Sequence, residues 1–165
     1  MQRHTTYQPI QLITLLLLRV LIGWHLLYEG VSKVLTPNWT SAGFLKESQW
    51  IMSGVSKWIV LNPEVLKVVD ILNTWGLIAI GLGLILGLFT RAAAISGTIL
   101  LLVYFMNNAP IIGIEYSIPT EGNNLVVSKT LIEAVALFAL AVFPTGAIFG
   151  LDALFTKSKS KVTKE

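Results

Sequence analysis

The sequence predicts an all-α membrane protein, and three observations support this class. Of the 165 residues, 54% are hydrophobic and only 13% are charged, and the mean hydropathy of +0.72 is too high for a typical soluble domain. Four apolar stretches are long enough to cross a hydrocarbon core of about 30 Å. These stretches also exceed the strands of roughly ten residues that form membrane β-barrels. We therefore expect an integral membrane four-helix bundle.

The predicted spans cover residues 12–35, 65–89, 92–109 and 125–148, within one domain over residues 1–155. Between the first two spans, apolar residues recur at three- and four-residue steps from Phe44 to Ile59, and the set includes two tryptophans. This pattern predicts an amphipathic helix that lies in the membrane interface. Residues 156–165 form a basic tail.

Lysines and arginines in short loops indicate the orientation of the spans, because they accumulate on the cytoplasmic side. Arg3, Arg91 and the lysines of the tail all fall on one side of the predicted bundle. The two loops on the other side carry no excess of basic residues. We therefore expect both termini to be cytoplasmic.

The first span carries the charged or titratable residues Arg19, His25, Glu29 and Lys33. At about 100° per residue, these four side chains fall within roughly a third of the helix circumference. Ionisable side chains at membrane depth are costly and usually face a bundle interior or a cavity. This stripe is therefore the first candidate for a functional surface.

The fourth span supplies a matching pair of charges. Because it runs opposite to the first span, Lys129 and Glu133 should lie at the depths of Lys33 and Glu29. We expect these four residues to meet as a quartet in the outer leaflet. Polar or aromatic residues of the second and third spans should lie close by, namely Asn73, Trp75 and Asn107.

Two interpretations of this quartet remain open. In the first, it forms a polar pocket for a quinone headgroup, with His25, Glu29 and Glu133 as catalytic residues. Histidine titrates near neutral pH and suits proton exchange. The pocket's binding residues would then be Lys33, Lys129, Asn73, Trp75 and Asn107. In the second interpretation, the quartet is a self-neutralising ion-pair network that holds the first helix against the fourth.

Other polar and small residues are assigned structural roles. Arg19 has no acid at its depth and should pair with a backbone carbonyl or extend towards the inner face. We expect Arg91 and Asp152 to form an anchoring pair at the inner face. Gly83 and Gly87 form a GxxxG pattern that favours close packing of the second span on the third, or alternatively homo-oligomerisation.

The composition also excludes several kinds of site. Because the chain has no cysteine, it cannot form a disulfide relay or a thiolate metal site. Its only histidines are His4 and His25, so an intramembrane haem held by a histidine pair is not expected, and we expect no metal. The net charge of +3 comes mostly from the tail and indicates no nucleic-acid partner.

Several short motifs occur along the chain. They are an arginine and a glycine followed by GxxK, a GLxTRxAA turn, a glycine-rich ending with the dipeptide LD, and a segment after Trp39. In this chain they are Leu18–Gly23, Gly30–Val34, Gly87–Ala94, Gly146–Leu154 and Ser41–Leu45. Together these motifs resemble the DoxX/DoxD family of small four-helix membrane proteins, and the segment after Trp39 resembles the DoxD side. The resemblance covers nearly the whole chain.

This resemblance implies a protein of a bacterial or archaeal cytoplasmic membrane, in some members linked to thiosulfate oxidation with quinone as acceptor. Our first hypothesis is therefore a quinone-linked redox subunit, with quinone as its cofactor and the lipid bilayer around it. The alternative is a non-catalytic subunit that anchors or assembles a larger complex and docks a protein partner at its outer face. A solute carrier is less favoured, since the sequence has no paired repeat with broken helices.

Overall fold

The computed structural model describes residues 7–111, 113–114, 116 and 126–153, and every regular element in these ranges is an α-helix. The predicted all-α class is therefore confirmed for this part of the chain. The helices are α1 Pro9–Leu35, α2 Ala42–Lys46, α3 Ser53–Leu61, α4 Pro63–Leu86, α5 Thr90–Asn107 and α6 Lys129–Val142. The basic tail lies outside the described residues.

Three of the described helices, α1, α4 and α5, are long and apolar enough to cross a membrane. Their bounds agree with the first three predicted spans to within three residues. The fourth helix is shorter than predicted, because α6 has 14 residues and is therefore about 21 Å long, against a hydrocarbon core of about 30 Å. A fourth crossing is not confirmed by the structure and stays a prediction.

The start of α4 follows the local sequence signals. Pro63 occupies the first turn and Glu64 follows it, as the Asn62-Pro63-Glu64 run predicts. The Asn62 side chain does not cap α4, however; its amide donates to the carbonyl oxygen of Trp58 at 2.7 Å. It therefore ties the end of α3 to the start of α4.

The predicted amphipathic interfacial helix is two helices rather than one. The apolar pattern continues from α2 into α3, but a turn at residues 47–52 separates them. That turn contains neither glycine nor proline, so periodicity alone could not reveal it. The region of these two helices is held near α4 and α5 by hydrogen bonds to Asp70 and Asn107.

The long helices pack around a shared apolar core. α1 contacts α4 and α6, and α5 contacts the same two helices. Leu26, Leu84, Ala94 and Leu137, one from each helix, are buried in this core. The core therefore includes α6 although that helix is short.

The closest approach of two helices involves α1 and α4. A methyl group on Gly81 would lie 2.6 Å from the backbone nitrogen of Leu27, so only glycine fits there. Gly83 does pack against Ala93 of α5, as predicted, but Gly87 instead ends α4 with a φ of 64°. Of the two glycines in the GxxxG pattern, Gly83 therefore makes a helix contact and Gly87 ends α4.

The helices run between two ends of the molecule, the Lys33 end and the Arg91 end. At the Lys33 end, α1 and α5 finish and α4 and α6 begin. The short helices α2 and α3 also lie at this end. At the Arg91 end, α4 turns into α5 and the segment after α6, residues 143–153, folds back against that turn. The candidate site lies at the Lys33 end.

Candidate functional site

The charged stripe of α1 divides between two neighbours at the Lys33 end. Lys33 pairs with Glu29, four residues earlier on the same helix, at 2.7 Å. The Lys33 side chain is only 14% exposed, and its ammonium group lies 5.5 Å from the centre of the Trp39 ring. This lysine is therefore neutralised by Glu29 and covered by the segment after α1.

His25 and Glu133 join α1 to α6. Nδ1 of His25 lies 2.8 Å from a carboxylate oxygen of Glu133. Nδ1 donates to this oxygen both in the protonated ring and in the neutral tautomer that carries its hydrogen on Nδ1. The His25 side chain is 55% exposed, whereas that of Glu133 is 16% exposed. A titratable pair thus lies at the surface of the α1–α6 contact.

The predicted quartet is therefore offset by one helical turn. Glu133 meets His25 rather than lying level with Glu29, while Lys129 is the first residue of α6. Each predicted acid has a partner on α1, Lys33 for Glu29 and His25 for Glu133. The structure thus brings His25 and Glu133 together and keeps Glu29 with Lys33.

A separate cavity of about 280 Å³ lies beneath α2 and α3, between these short helices and α4 and α5. Its lining is mostly apolar, and none of the lining side chains is charged. The lining residues are Ser41, Phe44, Leu45, Met52, Ser56, Ile59, Val69, Leu72, Asn73, Leu100, Val103, Tyr104 and Asn107. Such an apolar cavity with a few polar groups is typical of a small-molecule site.

Asn73 and Tyr104 supply polar atoms to this cavity. The hydroxyl of Tyr104 donates to the side-chain oxygen of Asn73, which fixes the orientation of the amide. Among the described residues, the amide nitrogen of Asn73 then has no hydrogen-bond acceptor. The pair can therefore offer N–H donors and the Tyr104 oxygen to a ligand.

Asn107 lines the cavity but is committed to holding its roof, which we define as α2 and α3. Its side-chain oxygen accepts from the Ser56 hydroxyl at 2.6 Å, and its amide donates to the Phe44 carbonyl at 3.1 Å. Asn107 is 2% exposed. Both polar groups of the Asn107 side chain are therefore used to hold the roof, whereas the sequence predicts that they bind the ligand.

Asp70 holds the other side of the roof. Its carboxylate accepts from the backbone nitrogen of Ser41 at 2.8 Å and from the Ser41 hydroxyl at 2.5 Å. The sequence pattern does not mark Asp70 or Tyr104 as site residues, and it marks Ser41 only as part of a family motif. An acid three residues before Asn73 in an apolar helix was the available signal for Asp70.

Trp75 does not join this site. It is 60% exposed on α4 and is not among the residues that line the cavity. Its position two residues after Asn73 places it about 200° around the helix. The helix rotation therefore separates Trp75 from Asn73, although their closeness in the sequence predicts one site.

Arg19 binds the returning chain at the Arg91 end. Its guanidinium donates to the Thr145 hydroxyl at 2.9 Å and to the Phe149 carbonyl at 2.7 Å. The backbone carbonyl that was expected as its partner is thus Phe149. Arg19 is 4% exposed, and its Nε has no hydrogen-bond partner among the described residues. Its two bonds to the returning segment indicate a structural contact.

Asp152 was expected to pair with Arg91. In the structure its carboxylate accepts from the backbone nitrogens of Phe89 and Thr90, at 2.7 and 3.0 Å, and from the Thr90 hydroxyl at 2.8 Å. An acid at a helix N-terminus satisfies free N–H groups and complements the helix dipole. Asp152 therefore caps α5, while the Arg91 side chain is exposed.

Among the described residues, no group of three or more histidine and acidic side chains is arranged to hold a metal ion.

Comparison with known proteins gives one match. The model of the DoxX family matches residues 14–107, which are 94 of the 165 residues and contain α1 to α5 except for the start of α1. No curated protein and no solved structure matches the chain. The matched region includes the charged stripe of α1 and the whole lining of the cavity.

Proposed function

The chain belongs to the DoxX family, and from this premise we propose that it is a quinone-linked redox subunit that acts on a small sulfur compound such as thiosulfate. The observation that carries this proposal is the uncharged cavity with Asn73 and Tyr104 in its wall. A quinone head is a flat, uncharged ring whose carbonyl oxygens accept hydrogen bonds. The Asn73 amide is a suitable donor for one of them.

The size of the cavity fits a headgroup better than a whole lipid-soluble quinone. Its volume of about 280 Å³ lies just below the range for pockets that hold drug-sized ligands, roughly 300–1,000 Å³. The ring would be enclosed while the apolar tail stays outside. Quinone binding is thus the part of the function that the geometry favours most.

Reduction of a quinone to a quinol takes up two electrons and two protons. Two thiosulfate ions supply two electrons when a new sulfur–sulfur bond joins them. We place the proton path through Tyr104, supplied by Glu29 and by the His25–Glu133 pair one turn along α1. In this proposal, these acids and His25 retain the proton-transfer role expected from the sequence.

Thiosulfate itself does not suit the cavity, because none of the lining side chains is a cation and burial of an unpaired dianion is very costly. We therefore place the sulfur substrate outside the cavity, at the exposed Lys129 of the Lys33 end or on a protein partner at this face. Homo-oligomerisation would be a further way to complete such a site.

The proposed setting is a bacterial or archaeal cytoplasmic membrane with the Lys33 end outward. In this arrangement α6 and residues 143–151 together complete a fourth crossing, and both termini are cytoplasmic. The quinone cavity then lies in the outer leaflet.

The second candidate is a non-catalytic membrane subunit that anchors or assembles a larger complex. It is favoured by the commitment of Asn107 and Ser56 to each other and of Arg19 to the returning chain. Under this alternative the charged pairs hold helices together, and the exposed side of α3 docks a partner.

Quinone binding to the pure protein in lipid nanodiscs tests the proposal, with a decyl-tailed quinone and quenching of tryptophan fluorescence as the readout. Tyr104→Phe should weaken binding by about 1 kcal/mol, or roughly fivefold, because it removes the hydroxyl that orients Asn73. Tyr28→Phe, at an exposed position on α1, is the matched control and should bind like the parent protein.

Thiosulfate-dependent reduction of the same quinone tests the redox step. The proposal fails if the pure protein neither binds the quinone nor reduces it with thiosulfate. A stoichiometric partner that persists through purification would then favour the anchoring subunit.

A further inference from the structure

Two of the side chains that line the cavity are also exposed on the outside of the long helices. Leu72 of α4 is 68% exposed and Val103 of α5 is 37% exposed. A residue that both lines a cavity and lies on the surface marks an opening. The cavity therefore opens sideways, between α4 and α5.

This opening lies on a surface that suits lipid. Both α4 and α5 are long and apolar enough to cross a membrane, and the cavity wall near the opening is formed by Val69 and Leu100 together with Leu72 and Val103. Val68 and Ile99, each four residues from an opening residue, are also exposed and apolar. The rim is therefore continuous with the membrane-facing surface of these helices.

The roof shields the cavity from the water side. Ser56 and Ile59 of α3 line the cavity, whereas Val55 and Trp58 are exposed. At 100° per residue, the centres of these two pairs are roughly 100° apart, and Lys57 lies on the remaining side. α3 thus has a cavity side, an apolar exposed side and a charged side, as expected of a helix at the membrane surface.

We propose that the cavity is loaded from the bilayer, through the opening at Leu72 and Val103, while the roof stays closed towards water. The contacts of Asp70 with Ser41 and of Asn107 with Ser56 hold that roof in place. This proposal rests on the proposed function, because it takes the ligand to be a lipid-soluble quinone. What it adds is the route by which the quinone enters the cavity. The apolar tail of the ligand must then pass through the opening into the lipid.

Single-cysteine variants test this route cleanly, because the chain has no cysteine of its own. Spin labels are placed at Val103→Cys in the opening, at Ile99→Cys on the outer surface of α5, and at Lys57→Cys on the charged side of α3. Collisions with oxygen report lipid, and collisions with a water-soluble nickel chelate report water. In liposomes, the label at 103 should match the label at 99 and differ from that at 57.

Addition of a quinone then tests passage of the tail. A decyl-tailed quinone should immobilise the label at 103 and leave the label at 99 unchanged, whereas a tail-less quinone head should leave both mobile. A label at Leu72→Cys, on the other side of the opening, should also be immobilised by the decyl-tailed quinone. With two labelled positions, a variant that fails to fold does not decide the outcome.

Two results would overturn the route. One is nickel access at 103 equal to that at 57, which would mean an opening to water. The other is binding of the tailed quinone, seen by fluorescence, without immobilisation at 103 or 72. If the cysteine-free protein binds no quinone at all, the proposed function fails, and the collision measurements still decide whether the opening faces lipid.

Discussion

Arg19 shows how separate motifs of this sequence serve one contact. The guanidinium binds Thr145 and Phe149, and it also lies against Gly87, where a methyl group would be 3.2 Å from both terminal nitrogens. Asp152, on the same returning segment, caps α5. The arginine, the turn and the LD ending that carry the family resemblance therefore meet at the Arg91 end.

Arg19→Lys should lower the stability of the protein by about 2 kcal/mol, because lysine keeps the charge but cannot reach both acceptors with a planar fork. Thermal unfolding in detergent measures this loss. The same substitution at the exposed Arg91 is the control and should leave the unfolding temperature unchanged. Quinone binding at the other end should persist in both variants, and its loss in Arg19→Lys alone would contradict a purely structural role.

The sequence predicted which residues are near the site better than it predicted their partners. Depth along antiparallel helices was enough to bring Glu133 towards the stripe of α1. It could not decide between His25 and Glu29, which differ by one turn, because that choice depends on how far α6 slides along α1. Asn73 was recognised as a polar residue in a span, but its partner Tyr104 depends on the relative rotation of α4 and α5.

At the scale of helices, the long elements were predictable because apolar runs with proline or glycine at their ends determine them. Pro63 begins α4 and Gly87 ends it. The division of the interfacial helix into α2 and α3 was not predictable, since its turn has no such residue. Residues of both short helices and of the turn between them line the cavity, so this part of its wall was not predictable either.

The pairing of α1 with α4 depends on close backbone contact at Gly81. Gly81→Ala should destabilise the protein by about 2 kcal/mol, because the added methyl group would meet the backbone of Leu27 at 2.6 Å and the helices must separate. Gly76→Ala is the matched control on the same helix, where no atom lies within 4 Å.

The control should be neutral or slightly stabilising, by about 0.5 kcal/mol, since alanine favours a helix over glycine. Unfolding of both variants by a denaturing detergent, followed by circular dichroism, gives the comparison. Equal effects at the two positions would show that helix propensity, rather than contact with α1, decides the outcome.

For the whole molecule, the number of membrane crossings depends on α6. Its length of about 21 Å is short of a bilayer core, yet its residues Leu137 and Leu140 are fully buried in the common core. Residues 143–151 continue towards the Arg91 end, where Thr145 and Phe149 reach Arg19. Together these segments reach from the depth of His25, which contacts Glu133, to the turn between α4 and α5, where Asp152 binds Phe89, and this is why a fourth crossing is expected.

Labelling of single cysteines with a reagent that cannot cross the membrane decides this question in intact cells and in inverted vesicles. With four crossings, Gln8→Cys, Arg91→Cys and Lys164→Cys should react only in inverted vesicles, and Lys57→Cys only in intact cells. With three crossings, Lys164→Cys would react together with Lys57→Cys. That result would place the end of the chain on the side of the cavity, where it could cover the roof, and would remove the basis for two cytoplasmic termini.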